Sequence, residues 1–134
     1  MNNKINALLI SLLLCQFSGS SFAEPVASIG AAPMCFRNNG TIYESIANAG
    51  EYKVVHGPFT TKCGTTAHNI QLRSVAGERL PVVVEQLSGG DWTRVVNGAF
   101  DPYQKLGNGT FRVVLDNQQG QTPVRYKGIF SVPL

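Results

Sequence analysis

The stretch Thr110-Phe111-Arg112-Val113-Val114-Leu115-Asp116 decides the fold. Phe111, Val113 and Leu115 fall on one side of a two-residue period, and Arg112, Val114 and Asp116 fall on the other. Side chains alternate in this way along an extended strand, so the stretch reads as a strand with one face on a core. Outward from it, residues 125–132 repeat the pattern, with Tyr126, Phe130 and Val132 sharing a face. Residues 67–74 set Ile70 and Leu72 against Asn69, Gln71 and Arg73. Residues 80–87 form a continuous apolar run with three valines, which suits a strand covered on both faces, and Pro81 fits its first position or an edge. Residues 92–96 follow the turn signal Ser88-Gly89-Gly90, and residues 41–43 and 52–56 are shorter strand candidates.

No window of about 12 residues carries a helical period, and 14 glycines and 7 prolines punctuate the 134 residues. Short β-rich runs separated by turn residues predict an all-β chain, a small antiparallel β-sandwich of jelly-roll or immunoglobulin-like type.

The first 23 residues have the three parts of a secretory signal peptide: Lys4, then an apolar run from Ile5 to Leu14, then small residues at Ser21 and Ala23. The apolar run is shorter than the roughly 20 residues that a membrane span needs. Cleavage after Ala23 would leave 111 residues. Residues 24–33, rich in Ala, Gly and Pro, read as a flexible lead-in, and residues 34–134 as one domain. The expected location is the periplasm or the medium.

Without the leader two cysteines remain, Cys35 and Cys63. In an exported domain of this size an even count predicts a disulfide. The bridge would close a loop of 29 residues, worth roughly 3.5 kcal/mol by chain entropy. Neither cysteine belongs to a C-x-x-C pair.

Ten basic and eight acidic residues would remain, a balance too even to argue for nucleic acid. The basic residues are scattered along the chain and read as a solvated surface. Catalytic patterns are lacking. His56 and His68 lie in separate strand-like segments, outside any H-E-x-x-H pattern, and read as surface or edge residues. No G-x-S-x-G elbow occurs, and no pair of carboxylates stands out for glycoside hydrolysis. The chain is therefore expected not to be an enzyme and to need no cofactor. Asp91, Asp101 and Asp116 fall in Gly- and Asn-rich surroundings that suit calcium, but they form no D-x-D-x-D-G run. Trp92, Phe100 and Tyr103 are close in sequence and could form an aromatic platform for sugar rings.

The second half carries a resemblance. Ala76-Gly77-Glu78-Arg79-Leu80 leads into Val82-Val83-Val84. Gly107-Asn108-Gly109-Thr110-Phe111 enters the strand Arg112-Val113-Val114-Leu115, and Arg125-Tyr126-Lys127-Gly128-Ile129-Phe130-Ser131-Val132 closes the chain. Over residues 67–134 this resembles the bacterial pre-peptidase C-terminal domain and its single-domain relatives, the periplasmic inhibitors of invertebrate-type and goose-type lysozymes. The resemblance implies an antiparallel sandwich, no catalysis, and a protruding Ser-Gly-x-Tyr loop that enters a hydrolase cleft. The matching positions are Asn108, Gly109, Thr110 and Phe111, with Asn for Ser and Phe for Tyr. Two binding roles follow as expectations. One is inhibition of a lysozyme-type hydrolase through residues 107–111. The other is a secreted or surface module, adhesin- or pilus-like, that binds glycan or protein through Trp92, Phe100 and Tyr103.

Overall fold

The alternation of residues 110–116 is realised as the central strand of a sheet. In the computed structural model, which describes residues 35–134, the chain forms nine strands. They are β1 (Arg37–Ala47), β2 (Glu51–Thr61), β3 (Thr66–Ser74), β4 (Arg79–Leu80), β5 (Val82–Ser88), β6 (Asp91–Ala99), β7 (Tyr103–Leu106), β8 (Gly109–Asn117) and β9 (Val124–Pro133). The signal-peptide and lead-in readings fall on residues outside those described. Among the described residues no helix is long and apolar enough to cross a membrane.

All pairings are antiparallel. One sheet runs β1-β9-β3, with the short strands β4 and β7 both against the far side of β3; the other runs β2-β8-β5-β6. The pairs β1·β9, β2·β8, β3·β7 and β5·β6 nest inside one another, as in one long hairpin rolled over itself. That order is the jelly roll, and it settles the two sandwich types left open by the sequence. The disulfide Cys35–Cys63 is present, with Cα atoms 5.7 Å apart.

The inner faces follow the period of two. Ile70, Leu72, Val84, Phe111, Val113 and Val132 are each at most 1 % exposed. Residues 82–84 are buried on both faces, as their unbroken apolar run predicts. Buried Asn117 ties two corners together: its Nδ2 donates toward the carbonyls of Ala47 (3.3 Å), Asn48 (2.8 Å) and Thr122 (3.0 Å).

The histidines depart from expectation. His68 is fully buried, its ring centroid 6.0 Å from that of Phe111 and 6.1 Å from that of Phe59. His56, half-buried where β2 shifts register, stacks on Phe130 at 3.8 Å. His68 is neither a surface nor an edge residue, and His56, although on the edge strand β2, turns its ring onto the aromatic interior. The Nε2 atoms of both are buried without a hydrogen-bond partner, while His68 Nδ1 lies 3.1 Å from the Thr66 carbonyl oxygen. Burial therefore holds both imidazoles below their ordinary value of 6.5, and the nearby Arg37 charge adds to this at His68.

The unfolded chain binds these protons more readily than the folded one, so stability is full above pH 6.5 and falls as the pH drops below it. Thermal melts at pH 7.5 and pH 5 are expected to show this loss. Changing both residues (His56→Gln, His68→Gln) should flatten the slope over that window. An unchanged slope in the double variant would place the acid sensitivity elsewhere.

Candidate functional site

The loop expected to protrude is a two-residue connection. Leu106 ends β7 and Gly109 begins β8, so only Gly107 and Asn108 connect them. Asn108 is exposed but engaged: the Gly64 N–H donates to its side-chain Oδ1 at 2.6 Å, and Gln86 Nε2 donates to its backbone carbonyl at 3.3 Å. Thr110 Oγ1 bonds Thr60 Oγ1 on the neighbouring strand at 2.8 Å. A Cβ on Gly109 would displace the end of the Gln86 side chain, at 2.5 Å, and press on Phe111 Cζ at 3.2 Å. Phe111 is interior, which corrects its assignment as a partner contact. Its place in the alternation with Val113 and Leu115 wins over its place in the loop motif.

The aromatic trio is also divided. Trp92 is the second residue of β6 and Phe100 lies just past its end, about 26 Å away along an extended strand. Tyr103 belongs to β7, in the other sheet. Phe100 and Tyr103 are 59 % and 61 % exposed, but Trp92 shares no platform with them. The three aspartates likewise stay apart. Asp91 begins β6, Asp101 accepts a bond from the Tyr103 N–H, and Asp116 accepts from Arg94. Among the described residues no three His, Cys, Asp or Glu side chains gather into a metal-binding group.

Trp92 instead joins a lattice on the outer face of the β2-β8-β5-β6 sheet. Glu85, 5 % exposed, accepts from Arg112 Nε at 2.6 Å and from the Tyr52 hydroxyl at 2.5 Å. Arg94 donates to Tyr52 Oη at 3.1 Å and to Asp116 at 2.7 Å. The Arg112 guanidinium lies over the Trp92 ring at 4.3 Å, and that of Arg94 over Tyr52 at 4.9 Å. Burial, then the bond to Glu85, pushes the Tyr52 phenol above its ordinary value. This layer covers Val83 and Val114, which is how outward-pointing valines come to be buried. Its charges are satisfied by one another and its rings are roofed by guanidinium groups. It is a closed cover rather than a vacant face.

The outer face of the β1-β9-β3 sheet is built differently. Lys127 on β9 lies directly opposite Arg73 on β3, and Arg73 lies directly opposite Arg79 on β4. Neighbouring strands are about 4.8 Å apart, so three cations stand in a row about 10 Å long. Arg125, two residues before Lys127, shares the face. Like charges placed opposite each other across strands destabilise a sheet. Among the described residues no carboxylate forms an ion pair with Arg73, Arg79 or Lys127. Arg73 is steadied by the Gly77 carbonyl, to which Nη1 donates at 2.9 Å. Glu44 is the one carboxylate in the strands of this sheet, and Arg125 engages it at 2.5 Å. Thr41, Gln71, Arg73, Lys127, Gly128 and Ile129 line a shallow depression of about 250 Å³ beside the row.

Six of the ten basic residues from Arg37 onward lie on this face: Arg37, Arg73, Arg79, Lys105, Arg125 and Lys127. Scattered in sequence, they share one solvated face, and three of them, Arg73, Arg79 and Lys127, are direct cross-strand neighbours. The signal was Arg125-x-Lys127, two cations at strand spacing on either side of the inward Tyr126. No family model, curated protein or solved structure matches the chain.

Proposed function

We propose that the chain is a non-catalytic binding module whose working surface is the outer face of the β1-β9-β3 sheet, and that its partner is anionic. The row Lys127–Arg73–Arg79 carries this reading. Three adjacent cations with no paired carboxylate raise the energy of the isolated protein, and an anion laid across them relieves that cost. The disulfide supports action in an oxidising compartment, the periplasm or the medium. The hydrolase-inhibitor reading has no comparable support, because Asn108 is engaged within the fold and Phe111 is interior.

The test compares two double variants of equal charge change. Arg79→Gln with Lys127→Gln removes two cations from the row; Lys53→Gln with Lys62→Gln removes two from elsewhere. Retention on immobilised dextran sulfate, against uncharged dextran, is measured at 0.15 M salt, where the Debye length of about 8 Å suppresses diffuse attraction. The row variant is expected to lose retention by about tenfold or more, the size of one lost charged hydrogen bond. The control should keep it. Equal losses in the two variants, or no retention of the parent protein, would remove the proposal.

A further inference from the structure

The register places uncharged hydrogen-bonding groups beside the cationic row. One step along the strands, about 7 Å away, Thr41, Ile129 and Gln71 stand side by side on β1, β9 and β3. One step further stand Asn39, Ser131, Asn69 and Tyr103. Gln71 Nε2 donates to Asn69 Oδ1 at 3.2 Å. That bond leaves Asn69 Nδ2, a donor, and Gln71 Oε1, an acceptor, without partners among the described residues. A sugar hydroxyl both donates and accepts, so a fixed amide donor beside a fixed amide acceptor suits it. Ile129, 50 % exposed, offers an apolar surface in the middle of the belt for the C–H face of a sugar ring. Past the belt, Lys105 stands opposite Ala67 on β3, six residues from Arg73 and so about 20 Å from the row.

We infer that the anionic partner is an acidic polysaccharide, with carboxylates on the Lys127–Arg73–Arg79 row and hydroxyls on the Gln71–Asn69 belt. The inference rests on the anionic reading above and adds the chemical class. The length of the face between the row and Lys105 favours a chain over a small anion. A bilayer surface or a duplex would be held by the cations and would leave the amide belt idle.

The experiment measures affinity by titration calorimetry with polygalacturonate, alginate and hyaluronan as carboxylated probes. Inorganic polyphosphate, phosphatidylglycerol vesicles and duplex DNA are the other anions, and fully methyl-esterified polygalacturonate is the uncharged sugar. At least one carboxylated polysaccharide should bind, and its uncharged ester should not. The double variant Asn69→Ala, Gln71→Ala should weaken that polysaccharide by about tenfold, as two lost hydrogen bonds would. It should leave inorganic polyphosphate, a polyanion without sugar hydroxyls, within twofold.

An unchanged polysaccharide affinity in the amide variant overturns the inference, as does tighter binding of vesicles or DNA than of every carboxylated probe. In both cases the anionic reading stands if Arg79→Gln with Lys127→Gln still weakens binding. Binding of no anion at all overturns both.

Discussion

Phe111→Ala is expected to lower stability by about 3–5 kcal/mol, the cost of emptying a large buried aromatic site. In a domain of about 100 residues that corresponds to a fall in melting temperature of about 15 °C or more. The side chain is 1 % exposed, its ring centroid is 6.0 Å from those of Phe59 and His68, and it faces Phe59 on β2 and Gln86 on β5. All three neighbours sit on paired backbone and cannot collapse inward without moving a strand, so the cavity remains. Equilibrium denaturation checks the number. The same experiment separates two roles for the residue. A partner contact would give a variant that melts like the parent and loses its ligand. An interior residue gives a variant that melts early and, at temperatures where it is folded, still holds an anion on the opposite sheet. A loss below 1 kcal/mol would return Phe111 to the surface.

Phe111 also shows which features a linear pattern reveals. Alternation places it inside, because Val113 and Leu115 share its side of the strand. The motif resemblance places it in a loop, because Gly-rich residues precede it. Period is a statement about local geometry and holds wherever the strand forms; the shape of a loop depends on what the loop packs against. Asn108 is tied down by Gly64 and Gln86, which are distant in sequence. The strands of residues 67–74 and 110–116 were legible for the same reason as Phe111, and that of residues 80–87 was legible from its unbroken apolar run. The strand β7 was not, since four residues of mixed character (Tyr103–Leu106) show no period and extend only by pairing with β3. The extension of β1 through Asn38, Asn39 and Gly40 was hidden in the same way, because pairing with β9 overrides the poor strand preference of these residues.

The candidate site was the least legible feature. Arg73 meets Arg79 across the short β3–β4 hairpin, but Lys127 joins them only because β9 pairs with β3, a consequence of the jelly-roll order. Once that order is known, the two outer faces differ in kind. On the β2-β8-β5-β6 sheet Arg94 and Arg112 each find a carboxylate and an aromatic ring. On the other sheet Arg79 and Lys127 find neither among the described residues. Both faces carry arginine, and only one leaves its charge open.

Removing the disulfide by Cys35→Ser with Cys63→Ser is expected to cost about 3.5 kcal/mol, a large share of the 5–15 kcal/mol that holds a domain of this size together. The bridge joins the residue two before β1 to the residue two after β2. These strands are hydrogen-bonded to β9 and β8 respectively, in different sheets. The staple therefore pins one edge of each sheet at a single corner, where the Leu134 N–H also donates to the Phe36 carbonyl at 2.9 Å. Loosening that corner should free the start of β1 first. The cationic row lies on β9, β3 and β4 and does not depend on β1. The expected result is thus a double variant that unfolds at lower denaturant and yet, in native conditions, binds dextran sulfate within a few-fold of the parent. Weakened binding by a still-folded variant would mean that the ligand reaches onto β1, where Asn39 and Thr41 continue the same face; unchanged stability would mean that the corner is held by strand pairing alone.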